Sequence, residues 1–293
     1  MSNPEGSVDD IEFRLGLIGD GIARSSAPRL HELAGRIVGR AVSYTRFDLD
    51  GRSDTGFEVT LAACGRDGLA GVNVTHPYKE RAARIVPIDD PRVRRIGAIN
   101  TVLFRDGVAV AGHNTDHSGF VAAYRAKLGG ARPGIVALVG AGGVGRPIAV
   151  GLAELGAEEI RVYDIDGERA ARLAAELTTA ETPVRACGDV AAALDGAAGI
   201  ANATPIGMYR YPGNPVPEGA MGRPRWAFDA VYTPRETEFL LEAGRRGAEV
   251  ISGYELFFWQ GVHAFRLFTG LDVDQAALRA GLERPDGSQT SPA

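Results

Sequence analysis

Short apolar runs alternate with amphipathic, alanine-rich stretches along almost the whole chain, which predicts an α/β protein with largely parallel sheets. In the first part, apolar runs at 13–18, 42–47, 71–74, 100–104 and 108–111 predict strands. The last two flank Arg105-Asp106-Gly107, and Asp-Gly between apolar runs predicts a hairpin. Helical periodicity fills the gaps at 28–38, 55–64 and 78–85. A second series opens with the run Val136-Ala137-Leu138-Val139, followed by a glycine-rich turn and a helix at 146–155. Strands are then predicted at 159–164 and near Val184, Gly199, Ala227 and Glu249, separated by helices such as 168–177. A late apolar helix at 255–267 places Leu256, Trp259, Val262, His263 and Leu267 near one stripe. Because it follows the second series, it is expected to cross back over the first.

Composition narrows the class. The 293 residues suffice for two domains, and 45% hydrophobic with 24% charged residues is the balance of a soluble globular protein. A net charge of −5 argues against nucleic acid or a membrane surface as partner, so an anionic ligand must be met by local donors. Two distant cysteines, Cys64 and Cys187, and five histidines form no metal-ligand pattern, so no metal is expected. No apolar run approaches the roughly 18 residues of a membrane span, and the polar start lacks a signal-peptide core, so a cytoplasmic protein is expected. The tails at 2–10 and 284–293 read as disordered.

The most specific motif is Gly140-Ala141-Gly142-Gly143-Val144-Gly145, between a strand and a helix, with Asp164 ending the next strand 19 positions beyond Gly145. This is the geometry of a Rossmann-type nucleotide-binding unit. Gly140 makes the tight turn, Gly142 admits a pyrophosphate to the backbone, and Gly145 allows close packing of the helix. The helix N-terminus supplies N–H groups and partial positive charge to the phosphates. A carboxylate at Asp164 accepts hydrogen bonds from the ribose hydroxyls of NAD and repels a 2′-phosphate. Arg161 and Arg169 are poorly placed to clamp such a phosphate, which favours NAD over NADP. The bland alternative for Asp164 is a helix cap, a role that Asp166 fits better.

Other chemistry clusters where strands end. Asn73-Val74-Thr75-His76-Pro77-Tyr78-Lys79 leads from a strand into a helix, and Lys79 sits in its first turn. The helix dipole disfavours a cation there, a placement suited to a proton-transferring amine. The plain alternative is a solvated lysine with Thr75 as the cap. In Gly112-His113-Asn114-Thr115-Asp116, Thr115 or Asp116 reads either as a helix cap or as a site residue. Asn100-Thr101 opens a strand, and Asn202-Ala203-Thr204-Pro205-Ile206-Gly207-Met208 ends one in the nucleotide-binding series. Gln260 interrupts the apolar late helix. Each stretch also suits an ordinary turn.

Together these stretches resemble the shikimate dehydrogenase family, and most closely its NAD-linked quinate/shikimate branch in actinobacteria. The resemblance runs over 11–283 in the family's order. It includes NVTHPYK at 73–79, GAINT at 97–101, GHNTD at 112–116, GAGGVG at 140–145 and NATPIGM at 202–208. It continues with Val231-Tyr232 and with Gln260 before His263-Ala264-Phe265. The resemblance implies a substrate-binding domain at 1–115, a Rossmann NAD-binding domain at 116–252 and C-terminal helices at 253–293 returning to the first, with the active site in the cleft. It implies hydride transfer between NAD and a secondary alcohol of a cyclohexane or cyclohexene carboxylate, as in the shikimate pathway. Lys79 and Asp116 match the family's proton-transferring pair. Ser25, Thr75, Asn100, Tyr232 and Gln260 match substrate-binding positions. Thr204, Pro205, Val231 and Gly253 join the glycine loop and Asp164 as cofactor-binding positions. The partner implied is a small anionic cyclitol acid, with a homodimer left open.

One departure stands out. The family's Ser-x-Ser/Thr-Pro carboxylate clamp reads Ser25-Ser26-Ala27-Pro28, so a methyl group replaces the second hydroxyl. Leaving a carboxylate one partner short costs about 1.5–3 kcal/mol. Shikimate, quinate and an aminoshikimate therefore stay open as substrates. So do a catalytically silent NAD-binding paralogue and a two-domain dehydrogenase of an unrelated substrate.

Overall fold

The computed structural model describes residues 12–50 and 56–284. The predicted disordered tails lie outside them except for Arg284, as does Thr55, the expected start of a helix. The first series comprises β1 (Phe13–Gly19), α1 (Ala27–Ile37), β2 (Val42–Asp48), α2 (Gly56–Arg66), β3 (Gly71–Val74), α3 (Lys79–Ile85), α4 (Pro91–Ile96), β4 (Thr101–Arg105) and β5 (Val108–His113). Its strands form a five-stranded sheet in the order β2-β1-β3-β4-β5. The first three run parallel, and β4 alone is reversed, pairing antiparallel with both β3 and β5. The β4–β5 hairpin turns at Asp106 and Gly107, with φ of 51° and 79°. Positive φ at both centres matches the strand twist, which is why Asp-Gly serves there.

The second series is α5 (Thr115–Leu128), β6 (Ile135–Val139), α6 (Gly145–Glu154), β7 (Glu159–Tyr163), α7 (Gly167–Leu177), β8 (Val184–Ala186), α8 (Val190–Leu194), β9 (Gly199–Asn202), β10 (Trp226–Asp229), α9 (Glu238–Arg245) and β11 (Glu249–Ile251). The six strands are all parallel, ordered β11-β10-β9-β6-β7-β8. The order reverses beside β6, and the glycine-rich turn follows β6, at the crevice where open parallel sheets bind ligands. Two helices, α10 (Gly253–Thr269) and α11 (Gln275–Glu283), complete the chain.

Several expectations need correction. The short helices α4 and α8 escaped the periodicity argument because five or six residues barely define a face. Asp90 accepting from the Arg92 N–H, followed by Pro91, was the readable signal for α4. The cap of α5 is Asn114, which accepts from the His117 N–H, and neither Thr115 nor Asp116. Thr75 does not cap α3, whose N-cap position is Tyr78. Asp166 does cap α7.

The late helix is buried more widely than its predicted stripe. Leu256 and Val262 of that stripe are buried, Trp259, His263 and Leu267 are only half-buried, and Phe258, Gly261, Ala264, Phe265 and Phe268 are buried as well. The reason is enclosure on several sides. Leu256 packs into the core of the six-stranded sheet, while Phe258, Val262 and Phe265 pack with Leu30, Leu278 and Leu282 from α1 and α11. The helix thus ties both sheets together, and α5 runs beside it. A β-carbon on Gly119 would stand 2.8 Å from the Gln260 backbone nitrogen, so only glycine permits this crossing.

Beneath the first sheet a buried polar chain starts at His31. Its ring stacks on Tyr44 at 4.8 Å and 11°. The Tyr44 hydroxyl donates to Asn73 Oδ1 at 2.8 Å, and Asn73 Nδ2 donates to Asn100 O and Thr101 Oγ1, both at 3.1 Å. Burial pushes the His31 imidazole down to about 3. A depressed folded value means that His31 contributes full stability above its unfolded value of 6.5, and loses it as pH falls from there toward 3. Replacing His31→Phe keeps an aromatic ring and removes the titration. Between pH 7.5 and 5.0, urea unfolding should show wild type losing about 2 kcal/mol more than this variant. Equal losses would show that His31 does not carry the acid sensitivity.

Candidate active site

Lys79 opens α3 and Asp116 is the second residue of α5, so two helix N-termini bring them together. Lys79 Nζ donates to Asp116 Oδ2 at 2.6 Å, with side chains 13% and 10% exposed. A carboxylate in the first turn of α5 is favoured by that helix, while an ammonium in the first turn of α3 is not. The ion pair offsets the second effect. Both ends are fastened by the segment between them: the Ile99 N–H donates to Lys79 O at 3.0 Å, and Asn114 Nδ2 to Ala98 O at 2.8 Å. The glycine loop faces this pair. A β-carbon built on Gly143 would stand 3.9 Å from Lys79 Cδ.

Asn100 is 4% exposed, and its side-chain carbonyl accepts from the Thr115 N–H at 2.7 Å and from the Thr115 and Thr101 hydroxyls, each at 3.1 Å. These bonds fix which way the amide points, and Asn100 Nδ2 has no protein partner among the described residues. Thr75 follows β3, and the preceding Val74 N–H donates to Asn100 O at 2.9 Å. A β-carbon on Gly19 would lie 2.2 Å from Thr75 Cγ2, so the end of β1 approaches Thr75 closely. Gln260 meets Gly119, which lies one turn after Asp116 on the same face of α5. Its Nε2 donates back to Phe257 O at 2.9 Å. Ser25 and Tyr232 make no hydrogen bond with the pair. Ser25 Oγ accepts from the Ala27 N–H at 3.3 Å, at the start of α1. Tyr232 stacks on Phe257 at 5.4 Å, and burial raises its phenol above the usual range. Tyr232, Phe257, Ser26 and Arg29 line a cavity of about 340 Å³.

On the nucleotide side, Gly140 has φ of 102°, and a β-carbon there would meet Ala203 and Thr204 at 2.9 Å. Around Gly142 such an atom would meet nothing within 4 Å, so the loop is open there. Gly145 starts α6 where a β-carbon would stand 2.1 Å from Gly140 O, so its close contact is with the loop itself. The N–H groups of Gly142, Gly143 and Val144 have no partner among the described residues. Asp164 lies just past β7, not within it. Its Oδ2 accepts from the Ala141 N–H at 2.7 Å and its Oδ1 from the Asp166 N–H at 2.9 Å, locking the carboxylate beside the loop with lone pairs to spare. No arginine shares that position. Arg161 is held by Glu159 and the Asp195 carbonyl, and Arg169 lies nearest Asp166. Arg146, the second residue of α6, bonds Ile96 O at 2.7 Å and Glu176 at 2.6 Å. These open N–H groups and the pinned carboxylate fit a dinucleotide.

Sequence reasoning missed what holds the remaining loops. Asn202 and Asp229 end the paired strands β9 and β10. Asn202 Oδ1 accepts from Thr204 N and Oγ1 at 3.0 and 2.7 Å. Its Nδ2 donates to Asp229 Oδ1 at 2.9 Å, and Asp229 also accepts from the Val231 N–H at 3.0 Å and the Thr237 hydroxyl at 2.6 Å. Burial raises the Asp229 carboxyl to about 6 against these bonds. The two loops carrying Thr204-Pro205 and Val231-Tyr232 thus share one anchor. Gly253 is required beside them, since a β-carbon would lie 2.4 Å from Val231 O. Two polar residues ending adjacent apolar strands were the available signal. Among the described residues no group of three or more His, Cys, Asp or Glu could hold a metal ion, and no helix is long and apolar enough to cross a membrane.

The family model for the shikimate dehydrogenase substrate binding domain matches residues 17–102. Shikimate dehydrogenase (NADP(+)) of Pseudarthrobacter chlorophenolicus is 37% identical, over 92% of this chain and 93% of its own length. Quinate/shikimate dehydrogenase (NAD(+)) of Corynebacterium glutamicum is 38% identical, over 90% of this chain and 96% of its own. The solved structure of quinate dehydrogenase from Corynebacterium glutamicum in complex with NAD superposes with a TM-score of 0.84 at 35% identity, covering 92% of this chain and 98% of that one. With its two-sheet architecture and glycine loop facing the lysine–aspartate pair, the chain belongs to the shikimate dehydrogenase family, whose members are NAD(P)-dependent oxidoreductases.

Proposed function

We propose that this protein is a cytoplasmic NAD-preferring dehydrogenase of the shikimate/quinate type. It interconverts a ring secondary alcohol and its ketone on a cyclohexane or cyclohexene carboxylate. The observation that carries this reading is the Lys79–Asp116 pair, 2.6 Å apart and facing the glycine loop. The proposed division is substrate binding by 1–115, nucleotide binding by 116–252, and return of 253–293 to the first part. NAD, when bound, supplies the nicotinamide that exchanges hydride with the substrate carbon.

The chain's own residues then have separable tasks. Lys79 Nζ takes the proton of the reacting hydroxyl during oxidation and returns it during reduction, while Asp116 holds the amine in place and balances its charge. The Asn100 amide, oriented by its three acceptor bonds, and Thr75 and Gln260 hold ring hydroxyls. Tyr232 borders the ring from the loop after β10, and Ser25 meets the carboxylate. The N–H groups of Gly142, Gly143 and Val144 receive the pyrophosphate. Thr204, Pro205, Val231 and Gly253 bound the nicotinamide end. Asp164 receives the ribose hydroxyls. The relatives divide between NAD and NADP, so the preference for NAD rests on Asp164 and on the engagement of Arg161 elsewhere.

Replacing Lys79→Ala should lower kcat by about 10²–10⁴-fold with little change in NAD affinity. Asp116→Asn should impair the same step. Near-normal turnover by a folded Lys79→Ala protein would refute the assignment. For the cofactor, wild type should show a kcat/KM for NAD at least about tenfold above that for NADP, since like charges oppose a 2′-phosphate at Asp164. Asp164→Ser combined with Ile165→Arg should shift preference toward NADP. Equal use of both cofactors by wild type would sink the assignment.

A further inference from the structure

We propose that Arg46 is a specificity-determining residue of this site, and that its guanidinium receives the substrate's ring carboxylate beside Ser25 in place of the hydroxyl that Ala27 lacks. The proposal rests on the functional reading above and adds the group that selects an acid.

Three observations carry it. First, Arg46 is aimed at the clamp loop: its Nη2 donates to Ser25 O at 2.7 Å. Second, it is a cation with no carboxylate in ion-pair contact, the Glu32 carboxylate feeling its charge only from a distance. Arg40 pairs with Glu12 and Arg81 with Glu58, whereas no carboxylate pairs with Arg46 among the described residues. Beyond the single bond to Ser25 O, its remaining N–H groups have no partner among them. Third, the strand points it toward the site. Tyr44 and Arg46 are two apart in β2 and share a face. Tyr44 on that face reaches Asn73, which bonds Asn100 O. Arg46 lies one step nearer the C-terminal end of a strand parallel to β1 and β3, the end at which such sheets present ligand groups.

The same strand fixes the other side of the loop. Asp48 accepts from the Gly21 and Ile22 N–H groups at 3.0 and 3.1 Å. The end of β2 therefore holds the loop at 21–25 through a carboxylate at one point and a guanidinium at another. Ser25 Oγ accepts the Ala27 N–H, which leaves its own O–H as a donor. A carboxylate between this hydroxyl and Arg46 meets one neutral donor and one charged one. Charge-assisted bonds are about twice as strong as neutral ones, so a guanidinium makes good the missing hydroxyl.

The test measures NAD-linked oxidation of shikimate, quinate and shikimate methyl ester by wild type, Arg46→Gln, Arg46→Lys, Ala27→Ser and the Arg46→Gln/Ala27→Ser double variant. Arg46→Gln should raise KM for the acids by about 10–100-fold, the scale of a lost charged hydrogen bond. KM for NAD and for the uncharged ester should stay within about twofold. Arg46→Lys should recover part of the loss. Ala27→Ser should change little alone yet recover affinity in the double variant, a non-additivity expected of two groups sharing one ligand. An unchanged KM for the acids in Arg46→Gln would overturn the proposal. A parallel rise for acid and ester would overturn it too, by showing that Arg46 only holds the loop. Wild-type protein inactive on both acids is a separate outcome, which overturns the functional reading and the proposal with it.

Discussion

The ion pair between Lys79 and Asp116 is the constraint around which the molecule is arranged. Two partly buried charges at 2.6 Å tolerate little displacement, because losing either partner strands the other in a poorly solvated place. Each sits in the first turn of a different helix, so the pair persists only while α3 and α5 start at fixed points. The segment between them supplies that fixity through Ile99 on Lys79 O and Asn114 on Ala98 O. Asn100 then binds the first N–H of α5, so the residue read as a substrate ligand also locates the helix that carries Asp116.

Two helices extend this local order across the molecule. Their crossing at Gly119 and Gln260 brings α5 and α10 to backbone contact. With Leu256 in one core and Phe258 and Phe265 in another, α10 transmits the position of each sheet to the other. A second tie runs from α6 to α4, where Arg146 bonds Ile96 O. The same arginine follows the glycine loop directly, so the loop and the segment behind Lys79 are linked through one side chain.

On the nucleotide side, backbone donors are left open and side-chain acceptors are pinned. Asp164 spends one bond from each oxygen on the protein, which fixes its orientation while keeping acceptor capacity. Asn202 and Asp229 do the same for the two loops that follow β9 and β10. Asp229 is fully buried and accepts three hydrogen bonds, which offset only part of the cost of burying its charge and leave its carboxyl raised.

The features legible in the sequence were those whose cause is local. The run before Gly140, the positive φ that the turn demands, the Asp-Gly hairpin and the Asp166 cap all follow from a few consecutive residues. The resemblance placed Lys79 and Asp116, and the fold brings them into contact across 37 positions. Partnerships and enclosure were decided by the tertiary structure. Tyr44 finds Asn73 and Asn202 finds Asp229 across 29 and 27 positions, and nothing near either residue names its partner. Arg46 looks like an ordinary exposed arginine until β2 sets it beside Ser25. The stripe predicted for the late helix was incomplete for the same reason. Periodicity reports one apolar face, but the buried arc of α10 is set by how many neighbours surround it, and those neighbours come from both sheets. A turn or a cap is fixed by short-range sterics and hydrogen bonding that the sequence carries within itself, whereas a contact between distant residues exists only once the chain has closed around it.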